Sequence, residues 1–334
     1  MAPRVALDAM GGDHAPKEMI RGALAAQRDA GVTPLLVGDE RAIHECLLAE
    51  GAEPERWQIV HAADAVAMDE RPVEAVRSRR QTSIRRVAEM LGANEIDAMV
   101  TMGNTGAAVA AGVLIVGRLP GVERPGLGVM LPSRGKRTLV IDVGANAEAR
   151  ARHLLQFAIM GCVYQERTQG VANPRVGLLS IGEEESKGNM LVHESAQLLD
   201  TEALNYVGHI DPAHIFHREA DVIVCDGFSG NVVIKAAEAT AEFALGELRY
   251  EVEKRWAAKL GAQMMLPALR AMRRRTDYAE IGATPLLGLK GLILIGHGRS
   301  RSPAVVNALL AADQAVRASL VPTIASGLQA SAER

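Results

Sequence analysis

Short apolar runs alternate with amphipathic stretches along nearly the whole chain. The runs are rich in Val, Ile and Leu, which is typical of buried strands, and the stretches between them have helical spacing. The pattern predicts ten strands: Arg4–Asp8, Pro34–Gly38, Trp57–His61, Ala98–Met102, Leu127–Leu131, Thr138–Val143, Arg175–Ile181, Leu204–Gly208, Asp221–Cys225 and Leu292–Ile295. Strands that alternate with helices indicate an α/β fold with a doubly wound, mostly parallel sheet and helices on both faces.

The helical stretches are long enough to cover both faces of such a sheet. The predicted helices are Lys17–Arg28, Asp39–Glu50, Pro72–Leu91, a run that begins after Gly106, His153–Tyr164, Val232–Leu260 and Pro303–Leu320. Because the alternation runs from end to end, we interpret residues 1–334 as a single α/β catalytic domain. Residues 250–280 are predicted to project from it as a basic amphipathic segment.

Polar, glycine-rich loops follow six of the predicted strands. The clearest is Gly103-Asn104-Thr105-Gly106, between a buried strand and an alanine-rich helix. First-turn N–H groups and the helix dipole favour an anion there, and glycines allow close approach. Taken alone, this motif is also compatible with an ordinary strand-to-helix turn. Since ligands of open α/β sheets bind beyond the carboxyl ends of strands, we expect the six loops to converge on one small, anionic ligand.

Several of these polar motifs can also be explained without a ligand. Asp13 could only cap a helix, with His14 as an exposed neighbour, and the acids Glu183–Glu185 could only be solvated. Arginines recur between Arg77 and Arg86 without an intervening acid, which indicates either a solvated face or a rim that attracts an anionic substrate.

Composition and missing motifs exclude several classes of function. The net charge of −3 favours no nucleic acid, and three separated cysteines without a CxxC argue against a disulfide framework or a cysteine zinc site and fit a reducing cytoplasm. Met1–Asp8 does not resemble a signal peptide, and no apolar run approaches the length of a membrane span. The GxGxxG, GxxxxGK[ST], HExxH and GxSxG motifs are missing, so neither a cofactor nor a metal is predicted.

Seven segments together resemble the fatty acyl-acyl carrier protein:phosphate acyltransferases (PlsX) of bacterial phospholipid synthesis. In order, they are ALDAMGGDHAP (6–16), MGNTGAAVAAG (102–112), GRLPGVERP (117–125), IDVGANAE (141–148), LLSIGEEESKGN (178–189), VIVCDGFSGNVVIK (222–235) and GATPLLGLKGLILIGHGRS (282–300). Two departures stand out. Met102 replaces a small residue before GNTG, and His209-Ile210-Asp211-Pro212 stands where the family often has Glu-Gly-Arg-Asp.

The resemblance implies transfer of a long-chain fatty acyl group from the thioester of acyl carrier protein to inorganic phosphate, giving acyl phosphate. Phosphate is itself the nucleophile, and a thiol of pKa about 8.5 leaves without a strong acid. Positioning and oxyanion stabilisation remain for the protein. The resemblance also implies a fold related to isopropylmalate dehydrogenases, a cytoplasmic homodimer in peripheral contact with the membrane, and a downstream membrane glycerol-3-phosphate acyltransferase as a partner.

The same resemblance implies roles for residues in the loops. The catalytic candidates are Lys187, Asn231, His14 and Asp226. The phosphate- and substrate-binding candidates are Asp8, Gly11, Gly12, Gly103, Asn104, Thr105, Gly106, Asp142, Asn146 and Asn189.

The stretch from Lys254 to Arg275 is basic and apolar, with Pro267 inside it. Such a helix binds an anionic membrane or an acidic partner, and otherwise it is a dimer or core helix with a solvated basic face. The resemblance favours carrier-protein docking and membrane contact, through Arg270, Arg273, Arg274, Arg275, Met264, Met265 and Leu266.

Three other functions remain open at this point. A nicotinamide-dependent decarboxylating dehydrogenase would share the fold, although the sequence shows no acidic metal cluster for it. A short-chain phosphate acetyltransferase would differ in chain-length preference. A membrane-edge scaffold would bind the carrier protein without turnover, which converging polar loops argue against.

Overall fold

The strands of the computed structural model form one continuous sheet, and the model describes residues 2–133, 136–276 and 282–333, with the backbone alone for 273–276. The strands are β1 (Val5–Asp8), β2 (Leu35–Gly38), β3 (Ile59–His61), β4 (Ala98–Thr101), β5 (Gly126–Ser133), β6 (Lys136–Ile141), β7 (Arg175–Leu179), β8 (Asn205–Ile210), β9 (Val222–Val224), β10 (Thr284–Leu287) and β11 (Leu292–Ile295). Their order is β3-β2-β1-β4-β11-β10-β5-β6-β9-β7-β8. All ten predicted strands are present, and β10 is an addition.

Helices cover both faces of the sheet, as expected. They are α1 (Lys17–Ala30), α2 (Glu40–Ala49), α3 (Pro72–Ser78), α4 (Ser83–Gly92), α5 (Thr105–Ala111), α6 (Ala151–Gln169), α7 (Met190–Thr201), α8 (Gly227–Lys254), α9 (Trp256–Thr276), α10 (Ser302–Arg317) and α11 (Leu320–Ala332). A single π turn, Gly112–Val116, extends α5. The sequence pattern did not predict α7 or α11.

Two predicted helices are interrupted in the structure. The stretch Pro72–Leu91 forms α3 and α4, because the chain leaves the helix at Arg79, whose guanidinium binds the carboxylates of Asp64 and Glu70. The stretch Val232–Leu260 begins earlier, at Gly227, and α8 ends where Arg255 is extended.

The sheet is mostly parallel, but its two halves run in opposite directions. Strands β1 to β4 and β11 are mutually parallel, as are β6 to β9. Between the halves, β10 is antiparallel to both β11 and β5, and β5 is antiparallel to β6. The six polar loops therefore fall into two sets of three, so the expectation that all six converge beyond one edge is wrong.

Alternate residues of each strand enter separate hydrophobic cores on the two faces. In β6, Leu139 and Ile141 face the core beneath α1, α6 and α10, whereas Val140 faces the core beneath α4 and α5. The second face also receives the start of α8 through Ile234. Both faces are therefore covered by helices, which explains why strand patterns read as continuous apolar runs.

In the described ranges, no single helix is long and apolar enough to cross a membrane. Helices α10 and α11 reach the required length only as a pair, and that pair is bent by 55°.

A buried carboxylate follows β6 and joins several segments of chain. Asp142 is fully buried, and one of its oxygens accepts hydrogen bonds from the N–H groups of Leu127 at 3.1 Å, Gly144 at 3.1 Å and Ala145 at 2.9 Å. The other accepts from the backbone N–H of Asn146 at 2.7 Å and from its Nδ2 at 2.8 Å. Because all donors are N–H groups, this position requires an acceptor at both oxygens.

A second buried carboxylate, Asp8, follows β1 in the other half. It accepts from the Thr101 hydroxyl at 2.8 Å, which in turn accepts from the N–H of Gly103 at 3.0 Å. The Ser83 hydroxyl is a further partner. Burial raises the pKa of Asp8, and burial likewise raises the pKa of Asp142. Two of the partners of Asp8 are hydroxyls, which can reverse their direction of donation.

The two aspartates should therefore respond differently to replacement by asparagine. Asp142→Asn places an amide donor against N–H donors, and we expect the free energy of unfolding to fall by roughly 2–4 kcal/mol. Asp8→Asn removes a buried charge while hydroxyls adapt, so we expect it to raise the free energy of unfolding. Since the folded pKa of Asp8 is raised, its ionised form lowers stability most at high pH, and the gain should shrink as the pH falls from about 8 towards the unfolded pKa of about 4.

Denaturant unfolding of both variants at the two pH values checks this prediction. Equal effects of the two substitutions, or a gain for Asp8→Asn that does not depend on pH, would contradict it.

Candidate functional site

A cleft of about 830 Å³ lies on the second face of the sheet, between α5 and α8. Its floor consists of residues from the central strands β5, β10 and β11, where the two halves meet. Loops after β4, β6, β9 and β11 contribute to its lining, so four of the six polar loops come together there. The loops after β1 and β7 are outside the lining.

One part of the cleft lining is polar and carries positive charge. Thr105 and Gly106 belong to the first turn of α5, whose N-terminus is capped by Asn104 Oδ1 at 3.1 Å from the N–H of Ala107. Arg77, Lys235 and His297 are exposed and line the same cleft. A helix N-terminus beside cationic side chains suits an anion with several oxygens, such as phosphate.

Most of the remaining lining is apolar, although Thr284 and the exposed carboxylate Glu238 also belong to it. The apolar part is formed by Val73, Val109, Ala110, Val113, Leu114, Leu127, Val129, Val143, Ile234, Ala283 and Ile295. These side chains come from α3, α5 and its π turn, the central strands and α8. The cleft can therefore hold a ligand with an anionic end and a long apolar part.

Loops after β1, β4 and β11 pack closely on one another. A Cβ on Gly11 would lie 2.8 Å from Asp8 Oδ2 and from the N–H of Gly103, and one on Gly12 would lie 3.0 Å from the carbonyl oxygen of Met102. The N–H of Asp13 donates to the carbonyl of Gly298 at 2.9 Å. Glycine is therefore required at position 11 for the loops to meet. The α5 side of the cleft is supported from behind by Asp8, Gly11, Gly12 and Gly103.

Several candidate side chains are engaged by the protein itself. Asn104 donates to the carbonyl oxygens of Ala67 and Met68 at 3.3 and 3.1 Å, and Asn146 donates to that of Pro125 at 2.7 Å. Asp226 accepts from the N–H and the hydroxyl of Ser229 at 2.9 and 2.7 Å, as the N-cap of α8. These contacts position the loops, and a direct contact of these residues with substrate stays a prediction.

The start of α8 packs against the Asp142 loop, and glycines make this packing possible. A Cβ on Gly227 would lie 2.4 Å from the carbonyl oxygen of Asn146, and one on Gly230 would lie 2.0 Å from that of Asp142. Asn231 is thereby held beside Gly144, where it lines the cleft.

Lys235 is a cleft residue that the sequence analysis did not select. It follows Asn231 by four residues on a helix, so the two share a face. The sequence analysis began this helix at Val232, so Asn231 was left outside it and the four-residue spacing was not recognised. His297 was passed over although its loop was recognised, because a lone histidine between glycines gives no spacing pattern.

The arginines from Arg77 to Arg86 have different roles in the structure. Arg77 lines the cleft, whereas Arg79 is held by Asp64 and Glu70. This arginine holds the pKa of the Asp64 carboxyl below its ordinary value. Arg85 bonds Glu89 at 2.9 Å and the carbonyl oxygen of Val76.

Cys225 lies directly behind the cleft and is buried. Its thiol donates to the carbonyl oxygen of Asp142 at 3.2 Å, and burial raises the pKa of the thiol well above its ordinary value. A nucleophilic thiolate is therefore disfavoured at this position.

Three candidates lie away from the cleft. Lys187 is exposed on the loop after β7, and Asn189 caps α7 by accepting from the N–H of Val192 at 3.0 Å. His14 follows β1, where its carbonyl oxygen accepts from the N–H of Glu18 at 3.1 Å. A part of these residues in the reaction stays a prediction.

Helices α8 and α9 form an exposed arm beyond Ile234. In this arm Trp256 and Met264 are each 81% exposed, and Met265 and Leu266 are exposed as well. Arg270 is exposed, and Arg273, Arg274 and Arg275 belong to α9, although their side chains lie outside the described residues. The described part of the arm exposes apolar and basic side chains, and the function of the segment 250–280 stays a prediction.

Comparisons with known proteins place the chain in a family. The model of a family described as "Fatty acid synthesis protein" matches residues 3–322. A phosphate acyltransferase of Heliobacterium modesticaldum is 44% identical over 322 residues, which cover 96% of each protein. A phosphate acyltransferase of a Nostoc species is also 44% identical, over 94% of this chain and 92% of the relative.

Solved structures support the fold. A phosphotransacetylase from Streptococcus pyogenes superposes with a TM-score of 0.63 at 16% identity and covers 94% of both chains. A 4-hydroxythreonine-4-phosphate dehydrogenase from Klebsiella pneumoniae gives a TM-score of 0.52 at 14% identity, over 93% of this chain and 98% of that one. The expected relation to a dehydrogenase fold is thus confirmed. On the full-length match of its sequence, the chain belongs to the fatty acid synthesis protein family, the PlsX family that its motifs indicated.

Proposed function

We propose that this chain is an acyltransferase that moves a long-chain fatty acyl group from a carrier-protein thioester to inorganic phosphate. The observation that carries the proposal is the cleft between α5 and α8, which combines a cationic polar part with a long apolar part. The phosphate acyltransferases among its relatives support the reaction type.

Phosphate is assigned to the polar part of the cleft. The first turn of α5 offers backbone N–H groups near Thr105 and Gly106, and Arg77 and Lys235 supply positive charge. These groups bind some of the phosphate oxygens and leave another oxygen free to act as the nucleophile. Asp8, Asp142 and their loops fix the two walls and act through the residues that they position.

The reaction then proceeds by direct attack. A phosphate oxygen forms a bond to the thioester carbonyl carbon, and the carbonyl π electrons move to oxygen to give a tetrahedral oxyanion. The oxyanion collapses, the C–S bond breaks, and its electron pair leaves on sulfur as thiolate, which takes a proton from solvent. The Asn231 amide, beside Gly144, is placed to donate to the oxyanion.

The apolar wall is assigned to the acyl chain. Val109, Val113 and Leu114 extend along α5 and its π turn away from the polar part. A chain of many methylenes gains roughly 0.8 kcal/mol for each one buried, which favours long over short acyl groups. Preference for acetyl would instead match the phosphotransacetylase structures that share this fold.

Substitutions in the cleft provide a direct test of the reaction. With palmitoyl carrier protein and phosphate, we expect Asn231→Ala to lower kcat by roughly 10²–10³-fold, since it removes one oxyanion donor. Lys235→Ala should chiefly raise KM for phosphate, by about tenfold or more, because it removes a charged contact. Release of carrier thiol and formation of acyl phosphate are measured together.

Lys290→Ala, an exposed lysine on the β10–β11 turn, is the matched control and should leave both constants unchanged. Thiol release that does not require phosphate would overturn the proposal, and so would release from acetyl carrier protein alone.

We also assign Lys187 to the reaction, through movement of its loop. Its side chain is exposed on the loop after β7, in the half of the sheet that carries Asn231 and outside the open cleft. We expect Lys187→Ala to lower turnover by about 10²-fold, as for other removed electrostatic donors, with unfolding unchanged. Steady-state kinetics check this, with Lys136→Ala as the control. A near-normal rate would remove Lys187 from the mechanism.

The arm of α8 and α9 is proposed as the surface that meets the acidic carrier protein and the membrane. Exposed Trp256, Met264, Met265 and Leu266 supply apolar contact, and Arg270 with Arg273–Arg275 supplies positive charge. The enzyme would thus work in the cytoplasm as a homodimer in peripheral contact with the bilayer. Its acyl phosphate would pass to a membrane-bound glycerol-3-phosphate acyltransferase.

Charge reversal tests this surface. Replacing Arg273–Arg275 with Glu should weaken binding of carrier protein and of anionic vesicles at low salt, with a difference that shrinks as salt increases. The control replaces Arg28, Arg41 and Arg56, which are exposed elsewhere, with Glu and so gives the same net charge. Equal affinities of the two triple variants, measured by titration and vesicle flotation, would argue against the assignment.

A further inference from the structure

We propose a binding site for a divalent transition-metal ion of the zinc class, formed by His214, His217 and Glu219 with Glu183 as a fourth ligand. The site is outside the cleft and does not depend on the proposed function. Three of its residues occupy the connection from β8 to β9, after the stretch 209–212 that departs from the family pattern. The ligand atoms of His214, His217 and Glu219 lie within 4.8 Å of one another.

The local sequence brings the two histidines together. Asp211 caps a 3₁₀ helix, Pro212–His217, by accepting from the N–H of Ala213 at 2.8 Å. A 3₁₀ helix has three residues per turn, so side chains three apart lie one above the other. The rings of His214 and His217 accordingly lie with their centroids 5.2 Å apart.

The chain then reverses to bring Glu219 to the same place. Arg218 is left-handed, with φ of 64°, and ends the 3₁₀ helix. Behind it, Asp221 is bound by Arg175 at 3.1 Å, which anchors the return of the chain into β9. Glu219 is therefore held beside the imidazole rings by a fixed turn rather than by a free loop.

Two carboxylates meet at one imidazole nitrogen. Nδ1 of His214 is buried, with Glu219 at 3.3 Å and the Glu183 carboxylate in shorter contact. None of these contacts has hydrogen-bond geometry at Nδ1. One nitrogen can offer only one proton to two carboxylates, whereas a metal ion can accept lone pairs from all three groups.

The donor set selects the class of metal. Two imidazoles with carboxylate oxygens suit zinc and its neighbours, whereas Mg²⁺ and Ca²⁺ prefer all-oxygen sites. Glu183 and Glu219 also line an adjoining open cavity of about 650 Å³, with Glu185 and Asp200 on its walls. This negative surrounding attracts a cation and gives it access from solvent.

A bound ion would tie two loops together. Glu183 belongs to the loop after β7, and the other ligands belong to the connection before β9. His209 already bridges the same two segments through a 3.2 Å contact between Nδ1 and the carbonyl oxygen of Glu184. The ion would add a stronger link and hold residues 182–189 against the β8–β9 connection.

Titration of the full chain with Zn²⁺ alone tests the site. We expect one high-affinity ion per chain, little binding of Mg²⁺, and slower hydrogen exchange of residues 182–189 on addition of Zn²⁺. His217→Ala, an exposed position, should weaken Zn²⁺ binding by about tenfold or more. The His214→Ala/His217→Ala double variant should lose both the binding and the slower exchange.

Two control variants separate this site from other ligands. His44 is remote from the site, and His193 lines the adjoining cavity without belonging to the cluster. The variants His44→Ala and His193→Ala should therefore bind Zn²⁺ as the unmodified chain does. Circular dichroism checks that each variant is folded. Zn²⁺ binding that survives in the double variant, or no binding by the unmodified chain at micromolar Zn²⁺, would overturn the proposal.

Discussion

The Asp142 carboxylate holds together the part of the molecule in which a ligand can bind. Its five N–H donors come from the start of β5 and from the loop after β6, and its own carbonyl oxygen accepts from the Cys225 thiol after β9. Segments that are far apart in sequence are thus hydrogen-bonded to one buried residue. A buried charge is expensive unless fully hydrogen-bonded, so this geometry leaves little freedom for the loops around it. The position of Asn231 follows from that constraint, because α8 packs against this same loop.

The two halves of the sheet use the same device with different chemistry. Each places a buried aspartate at the end of a strand, but Asp142 faces N–H groups alone, whereas Asp8 faces two hydroxyls as well as the N–H of Met10. The first arrangement is rigid, whereas the second can change its proton distribution. Burial raises the pKa of both carboxyl groups and so opposes their ionisation, which the hydrogen bonds around each carboxylate offset. The cleft lies where these two supports face each other across the central strands.

Much of this architecture was predictable, for reasons that can be traced to particular residues. Buried strands such as Ala98–Thr101 lie between covered faces and read as apolar runs, so their positions were clear. Strand direction was not, because it depends on β10, a four-residue strand containing Pro285 that the sequence pattern did not predict. The cleft residues Asn231 and Lys235 share a face of α8, but the helix was predicted to begin only at Val232, and Lys235 was not selected. The histidines before β9 lie on a 3₁₀ turn whose three-residue period is too short to show in a sequence pattern.

The length of α8, together with the burial of its first turns alone, has a mechanical consequence for the cleft. The 28 residues of the helix span about 42 Å without a break, from the N-cap Asp226 to Lys254, where α8 ends within the arm. Only its first turns are buried, so the helix is clamped at that end, and the rest of it belongs to the exposed arm. Asn231 and Lys235 lie near the clamp, and a small tilt imposed on the distal end turns them about it. The helix is thus a lever, through which a force applied at the surface changes the spacing of the groups that hold the ligand.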